Sequence, residues 1–166
     1  MGATAASETT AANIGSVGNL RRDPFAMTPF CGYNMADYFQ HWFDMGDLLG
    51  SNAPKIYYVN WFRKNAAGKW LWPGFGENSR VLKWMCERLD GQANAVETPI
   101  GNLPTEADLD LNGLNWPREY LSEILRVDKD AWKPEVPDIE KYFSQFGDRL
   151  PERLRTQLCN LAQRLG

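Results

Sequence analysis

The spacing of apolar positions changes several times along the chain, and each change marks an element. Residues 1–19 are mostly Ala, Thr, Ser, Gly and Asn, with Glu8 the one charge. Small side chains without periodicity predict a leader or a surface loop. Over residues 20–29, Pro24 and Pro29 push the residues before them out of the helical region, so extended or turn backbone is expected. Met35, Tyr38, Phe39, Trp42, Met45 and Leu49 then fall on one face of a helix over residues 35–49. Asn34 is placed to cap it, Asp37 sits in its first turn and Gly50 is its stop. Residues 55–62, Lys-Ile-Tyr-Tyr-Val-Asn-Trp-Phe, are β-branched and aromatic and follow a proline, which predicts a strand. Turn residues 65–68 and a short return over 70–72 would close it into a hairpin, ended by Pro73-Gly74.

Helical spacing resumes at residue 79. Val81, Leu82, Met85 and Leu89 share a face, Asn78 or Ser79 is the expected cap, and Gly91 the terminator. Residues 92–115, with Pro99, Gly101, Pro104 and Gly113, read as a strap across the surface. The last third is helical. A short helix is expected over 117–126, a second over 132–146 with Val136, Ile139, Phe143 and Phe146 on one stripe, and a third over 152–165. Pro134 and Pro137 must fall in or near the first turn of the second, and Pro151 opens the third. The pattern as a whole predicts a mostly α-helical chain with a small β-hairpin.

Composition narrows the class without changing that outline. With 166 residues, 43% hydrophobic and 23% charged, the chain suits one globular domain. Aromatic residues make up 13%, including 7 Trp, so large ring clusters are expected in the core or at a stacking site. A net charge of −3 gives no field of the kind that draws nucleic acid. Cys31, Cys86 and Cys159 are odd in number and form no CxxC pair, which favours a reduced, cytoplasmic setting over a disulfide or zinc framework. No apolar run reaches the roughly 18 residues of a membrane span, and residues 1–19 lack the basic and apolar regions of a signal peptide. The absence of Arg before Arg21 argues against a transit peptide.

Candidate chemistry centres on residues 69–80, Lys-Trp-Leu-Trp-Pro-Gly-Phe-Gly-Glu-Asn-Ser-Arg. There is no GxxxxGK[ST] phosphate loop, and Gly74-Phe-Gly-Glu-Asn-Ser has Ser79 where a dinucleotide fingerprint needs its third glycine. One histidine, His41, lies off the apolar stripe of its helix and supports neither a multi-histidine metal site nor a catalytic triad. What remains is a binding surface. Phe62, Trp70 and Phe75 come from a strand end, the returning strand and a glycine turn, and could converge on a purine, each stacked base contributing roughly 1–3 kcal/mol. Asn78 carries an amide donor and a carbonyl acceptor, suited to the Watson–Crick edge of guanine. Two plainer readings stand beside this. The stretch could be a Trp-rich core corner, and Asn78 could be a helix cap.

The same residues carry a resemblance. Val59-Asn-Trp-Phe-Arg-Lys, followed by Trp70-Leu-Trp-Pro-Gly-Phe-Gly-Glu-Asn-Ser-Arg-Val-Leu-Lys-Trp-Met, resembles the C-terminal region of GTP-dependent phosphoenolpyruvate carboxykinases. Ser7-Glu-Thr-Thr-Ala-Ala resembles that family's active-site lid. Arg22-Asp-Pro-Phe-Ala-Met-x-Pro-Phe-x-Gly-Tyr-Asn, His41-Trp and Thr98-Pro-Ile-Gly resemble the segments around it. The resemblance weakens after about Asn115.

The resemblance implies a lyase of gluconeogenesis that turns oxaloacetate and GTP into phosphoenolpyruvate, GDP and CO2 with Mn2+ or Mg2+. It implies a guanine site at Phe62, Trp70, Phe75, Gly76, Glu77 and Asn78, with Trp70 where the family usually has phenylalanine. It implies a lid that includes Thr9, Thr10, Ala11, Ala12, Asn13, Gly15 and Gly18, without the charged residues of vertebrate lids at residues 15–19. The phosphate loop, metal ligands and substrate arginines would lie upstream. On this reading the parent is an α/β enzyme with a mixed sheet, expected to be a monomer. This chain has a lid loop and lead-in over 1–22, a guanine-binding region over 23–116 and C-terminal helices over 117–166, together one incomplete domain. Its partners would be guanine nucleotide and the missing N-terminal part, with no nucleic acid or membrane, and it would be inactive alone. A non-catalytic helical interaction module, or a degenerate remnant, is the alternative.

Overall fold

The computed structural model describes Thr4–Ala5, Arg21–Arg22, Met27 and residues 30–166. The chain is mostly helical with a small antiparallel hairpin, and it divides into two compact units. Unit 1 joins Met1–Ala53 to Asp130–Gly166; unit 2 is the uninterrupted stretch Pro54–Lys129.

In unit 1, β1 (Thr4–Ala5) pairs antiparallel with β2 (Arg21–Arg22), Thr4 opposite Arg22 and Ala5 opposite Arg21. Helix α1 (Met35–Leu49) starts where expected. Asn34 is extended, and its Oδ1 accepts from the Ala36 N–H at 2.9 Å, which satisfies one of the first-turn donors. It stops at Gly50, whose φ of 53° a side chain would resist. The predicted apolar face is buried only in its first half: Met35 and Phe39 are buried, Tyr38 and Trp42 half-buried, while Met45 and Leu49 reach solvent.

The second C-terminal helix, expected over 132–146, is split. Helix α4 (Lys129–Trp132), which spans the boundary between the units, ends before Pro134, and α5 (Glu135–Ser144) begins after it. Pro137 then lies in the first turn of α5, where its missing N–H has no intrahelical role. Ile139 of α5 is buried and Val136, Phe143 and Phe146 are half-buried, as the stripe predicted. Helix α6 (Glu152–Leu165) follows Pro151, which sits just outside the helix in extended backbone rather than at its first position. The Phe39 and Phe146 rings meet edge-on at 5.6 Å, and Arg149 and Arg153 reach Asp37 and Asp47 at 2.8 and 2.9 Å.

Unit 2 gathers around Trp84, Leu109, Leu111 and Leu121, with Tyr57, Met85, Leu114, Trp116 and Leu125 against them. Helix α2 (Asn78–Leu89) contributes Trp84, so its buried face is centred on that residue. The expected face through Val81, Leu82, Met85 and Leu89 is corrected, since Leu82 and Leu89 are exposed. The indole N–H of Trp84 donates to the Asn94 carbonyl at 3.1 Å, which satisfies the polar edge of a buried ring. Helix α3 (Glu119–Leu125) adds Leu121.

The predicted strand over 55–62 and its hairpin are also corrected. Residues 54–60 pair with no strand among the described residues, and only Lys64 and Trp70 form an isolated bridge. One cause is local: the Asn60 side chain accepts the Phe62 N–H at 3.0 Å and turns the chain at residues 61–62. The segment still alternates, with Tyr57, Val59, Trp61 and Arg63 half-buried and Ile56, Tyr58, Asn60, Phe62 and Lys64 exposed. The hairpin of the fold stands instead within the stretch read as a strap. There β3 (Val96–Thr98) pairs antiparallel with β4 (Gly101–Leu103). Among the described residues no helix is long and apolar enough to cross a membrane.

Candidate functional site

The site is built on the turn that joins the Lys64–Trp70 bridge to α2. Asn65 shapes the first bend: its Oδ1 accepts from the Ala67 and Lys69 N–H groups, each at 3.0 Å. Residues 69–71 then return beside 63–65, with Asn65 N–H to the Lys69 carbonyl and Leu71 N–H to the Arg63 carbonyl, both 2.9 Å. This places Phe62 against Trp70, ring centroids 5.8 Å apart and inclined at 68°. The Lys64 ammonium lies 4.1 Å from the Trp70 centroid and covers one ring face.

Past Trp70 the chain goes inward. Leu71 and Trp72 are buried, and Trp72 packs against Trp61 at 6.4 Å and Trp116 at 5.6 Å. At Gly74, with φ 90° and ψ −166°, it turns out again in a region open essentially to glycine alone. A 3₁₀ turn over Phe75–Glu77 leads into α2. Phe75 projects from this turn, 97% exposed. Phe62 and Trp70 are 71% and 52% exposed, and of the 7 Trp, Trp70 is the only exposed one.

The structure therefore brings Phe62, Trp70 and Lys64 together, and sets Phe75, Gly76, Glu77 and Asn78 on the following turn. Phe75 touches neither of the other two rings. The Glu77 carboxylate accepts from Arg80 Nε, and Arg80 Nη1 also donates to the Asp110 carbonyl at 2.6 Å. Asn78 is the first residue of α2, with helical backbone and no capping bond, so the cap reading is corrected. Its side chain is engaged by Trp72, whose Nε1–H donates to Oδ1 at 2.8 Å. A hydroxyl bond takes up Ser79, its Oγ donating to the Gly76 carbonyl at 2.9 Å.

Trp72 and Lys64 were not legible as site residues. No pattern links a tryptophan to an asparagine six positions on, and Lys64 reaches Trp70 only through the register that Asn65 imposes. The expected lid residues, Thr9, Thr10, Ala11, Ala12, Asn13, Gly15 and Gly18, lie outside the described residues. His41 is exposed beside Tyr38 at 6.1 Å. Cys31, Cys86 and Cys159 are free thiols. Among the described residues no three His, Cys, Asp or Glu side chains lie together as metal ligands would.

The family model for the phosphoenolpyruvate carboxykinase C-terminal P-loop domain matches residues 1–164. Proteins named phosphoenolpyruvate carboxykinase [GTP] align along almost all of the chain. The one from Treponema pallidum (strain Nichols) is 52% identical over 99% of the chain, that from Thermoplasma volcanium 51% over 100%, and that from Arthrobacter sp. (strain FB24) 49% over 99%. The chain spans only 27–28% of the length of these relatives.

Proposed function

Because this chain belongs to the phosphoenolpyruvate carboxykinase C-terminal P-loop domain family, we propose that it holds the guanine base of GTP for a carboxykinase. That enzyme would convert oxaloacetate and GTP into phosphoenolpyruvate, GDP and CO2. Loss of CO2 leaves an enolate, whose oxygen takes the γ-phosphoryl group. Since the chain spans just over a quarter of its relatives, we assign it the base and leave the reacting groups to the rest of such an enzyme. The Mn2+ or Mg2+ implied by the resemblance finds no grouped ligands among the described residues, so no step is assigned to a metal here.

The observation that carries the proposal is the exposure of Phe62, Trp70 and Phe75 beside the turn that bears Asn78, in a unit whose other tryptophans are all at least half-buried. Water-facing rings of this size lose apolar surface when a purine stacks on them, at about 1–3 kcal/mol per base. Lys64 covers one face of Trp70, which directs a base to the other. Calorimetric titration of the chain with GTP and ATP tests this reading. GTP is expected to bind more tightly, and Phe75→Ala to weaken it by roughly tenfold. Equal affinity for the two nucleotides would sink it.

A further inference from the structure

We infer that Trp72 is a positioning residue for base specificity, turning the amide of Asn78 so that it offers donors and not its acceptor to a bound purine. The inference rests on the guanine-site reading above and adds to it the source of the preference. An indole N–H can only donate, so the Asn78 atom 2.8 Å from Trp72 Nε1 must be the carbonyl oxygen. That fixes which branch of the amide is oxygen and which is nitrogen. Oδ1 is turned to a buried ring. Nδ2, with its two hydrogens, has no hydrogen-bond partner among the described residues and is not buried.

The ring that makes this choice is itself held. Trp72 is 7% exposed and wedged between Trp61 and Trp116. Trp116 is fixed in turn by its own indole N–H, which donates to the Leu71 carbonyl at 2.9 Å, and by an edge contact with Tyr120 at 6.1 Å. Rotating the Asn78 amide by half a turn would point two N–H donors at the indole N–H and lose the bond. The cost of leaving such a donor unmet is enough to keep one orientation.

Guanine carries an oxygen at position 6 and adenine an amino group, so the two bases present opposite hydrogen-bond polarity there. An amide restricted to its N–H groups pairs with the first and opposes the second. The Glu77 carboxylate, the nearest acceptor in sequence, accepts Arg80 Nε through Oε2. The group that the Asn78 donors can read is the 6-oxo oxygen, since the 2-amino group of guanine is itself a donor.

The test is calorimetric titration of the 166-residue chain with GTP, ATP, inosine triphosphate and 2-aminopurine riboside triphosphate. On the unmodified chain, inosine triphosphate, which keeps the 6-oxo group, is expected to match GTP within about threefold. The 2-aminopurine nucleotide, which keeps only the 2-amino group, is expected to fall with ATP, on the order of tenfold weaker. The reverse ranking would overturn the inference without needing any variant. Trp72→Phe keeps an aromatic ring against Trp61 and Trp116 but frees the amide, and should bring the GTP-to-ATP ratio to within about twofold. A ratio unchanged in a folded Trp72→Phe chain also overturns it. Asn78→Asp, which replaces the donors with an acceptor, should shift the ratio toward ATP. If the unmodified chain prefers GTP and Asn78→Asp leaves that preference intact, Asn78 does not read the base and the inference about its amide is overturned, whereas equal affinity of the unmodified chain for GTP and ATP would overturn the guanine-site reading itself.

Discussion

The indole N–H of Trp116 donates to the backbone carbonyl of Leu71 at 2.9 Å, across 45 residues of sequence. Leu71 is fully buried, so water cannot replace that donor. Trp116→Phe keeps most of the ring and orphans the carbonyl, which should lower the unfolding free energy by about 1–3 kcal/mol. Urea unfolding followed by circular dichroism measures it. An unchanged midpoint would mean that the bond contributes nothing net.

The two glycines around Phe75 should behave differently. At Gly74 an added Cβ meets nothing within 4 Å, yet the backbone lies in the glycine-only region, so Gly74→Ala is expected to lose roughly 1–3 kcal/mol from strain alone. At Gly76 there is space and no positive φ, so Gly76→Ala should fold with close to unchanged stability. If the chain binds GTP through this turn, Gly76→Ala should still weaken binding, because the backbone there approaches the ligand. Thermal melts and a GTP titration on both variants separate the two effects.

Acid should destabilise unit 2 through two aspartates. The Lys83 side chain donates to Asp110 at 2.8 Å, and this bond, then the Asn112 N–H and the Lys83 charge, hold the Asp110 carboxyl below its usual range. The hydroxyl and N–H of Thr105 do the same for Asp108, at 2.6 and 2.8 Å. A carboxyl whose folded pKa is depressed adds stability that is present above its unfolded value, about 3.9, and is lost as pH falls through the folded value. Unfolding midpoints should therefore drop below about pH 4. The double variant Asp108→Asn, Asp110→Asn should flatten that fall, and an equally steep fall in the variant would assign it to other groups.

Arg153 grips Asp47 with Nη1 at 3.0 and 2.9 Å from the two carboxylate oxygens while its guanidinium lies 4.4 Å over the Phe43 ring. Both charged side chains are more than half exposed, so Asp47→Asn should lower stability by less than about 1 kcal/mol and the effect should shrink in 0.5 M salt. Arg153→Ala also removes the guanidinium stacked on Phe43 and should lose more than Asp47→Asn. Equal losses in the two variants would show that the ring contact is idle.

Helices were the most legible part of the chain, because their signals are local. Asn34, Gly50 and the aromatic stripe between them placed α1 to the residue, and Pro151 placed the start of α6 to within one. Where the reading failed, a side-chain bond or a distant packing partner had decided the outcome. Residues 55–62 have strand composition, but a strand also needs a ladder partner, and Asn60 diverts the backbone at residue 62. Trp84 outranked Leu82 and Leu89 on α2 because Leu109, Leu111 and Leu121 arrive to cover it. For the candidate site, the rings and Asn78 could be picked out from residue type. The Trp72 bond could not, since an asparagine at the start of a helix resembles a cap until the orientation of its amide is known.

The uninterrupted course of Pro54–Lys129 has a practical consequence for engineering. Phe62, Lys64, Trp70, Trp72, Phe75 and Asn78, together with the Trp116 that braces them, all fall inside this one segment, whereas unit 1 is assembled from two separated ones. If this turn holds the base as proposed, its preference is packaged as a cassette. A single exchange with the matching segment of a relative would transplant ring faces, amide and brace at once, and a chimera made that way would inherit its donor's nucleotide choice.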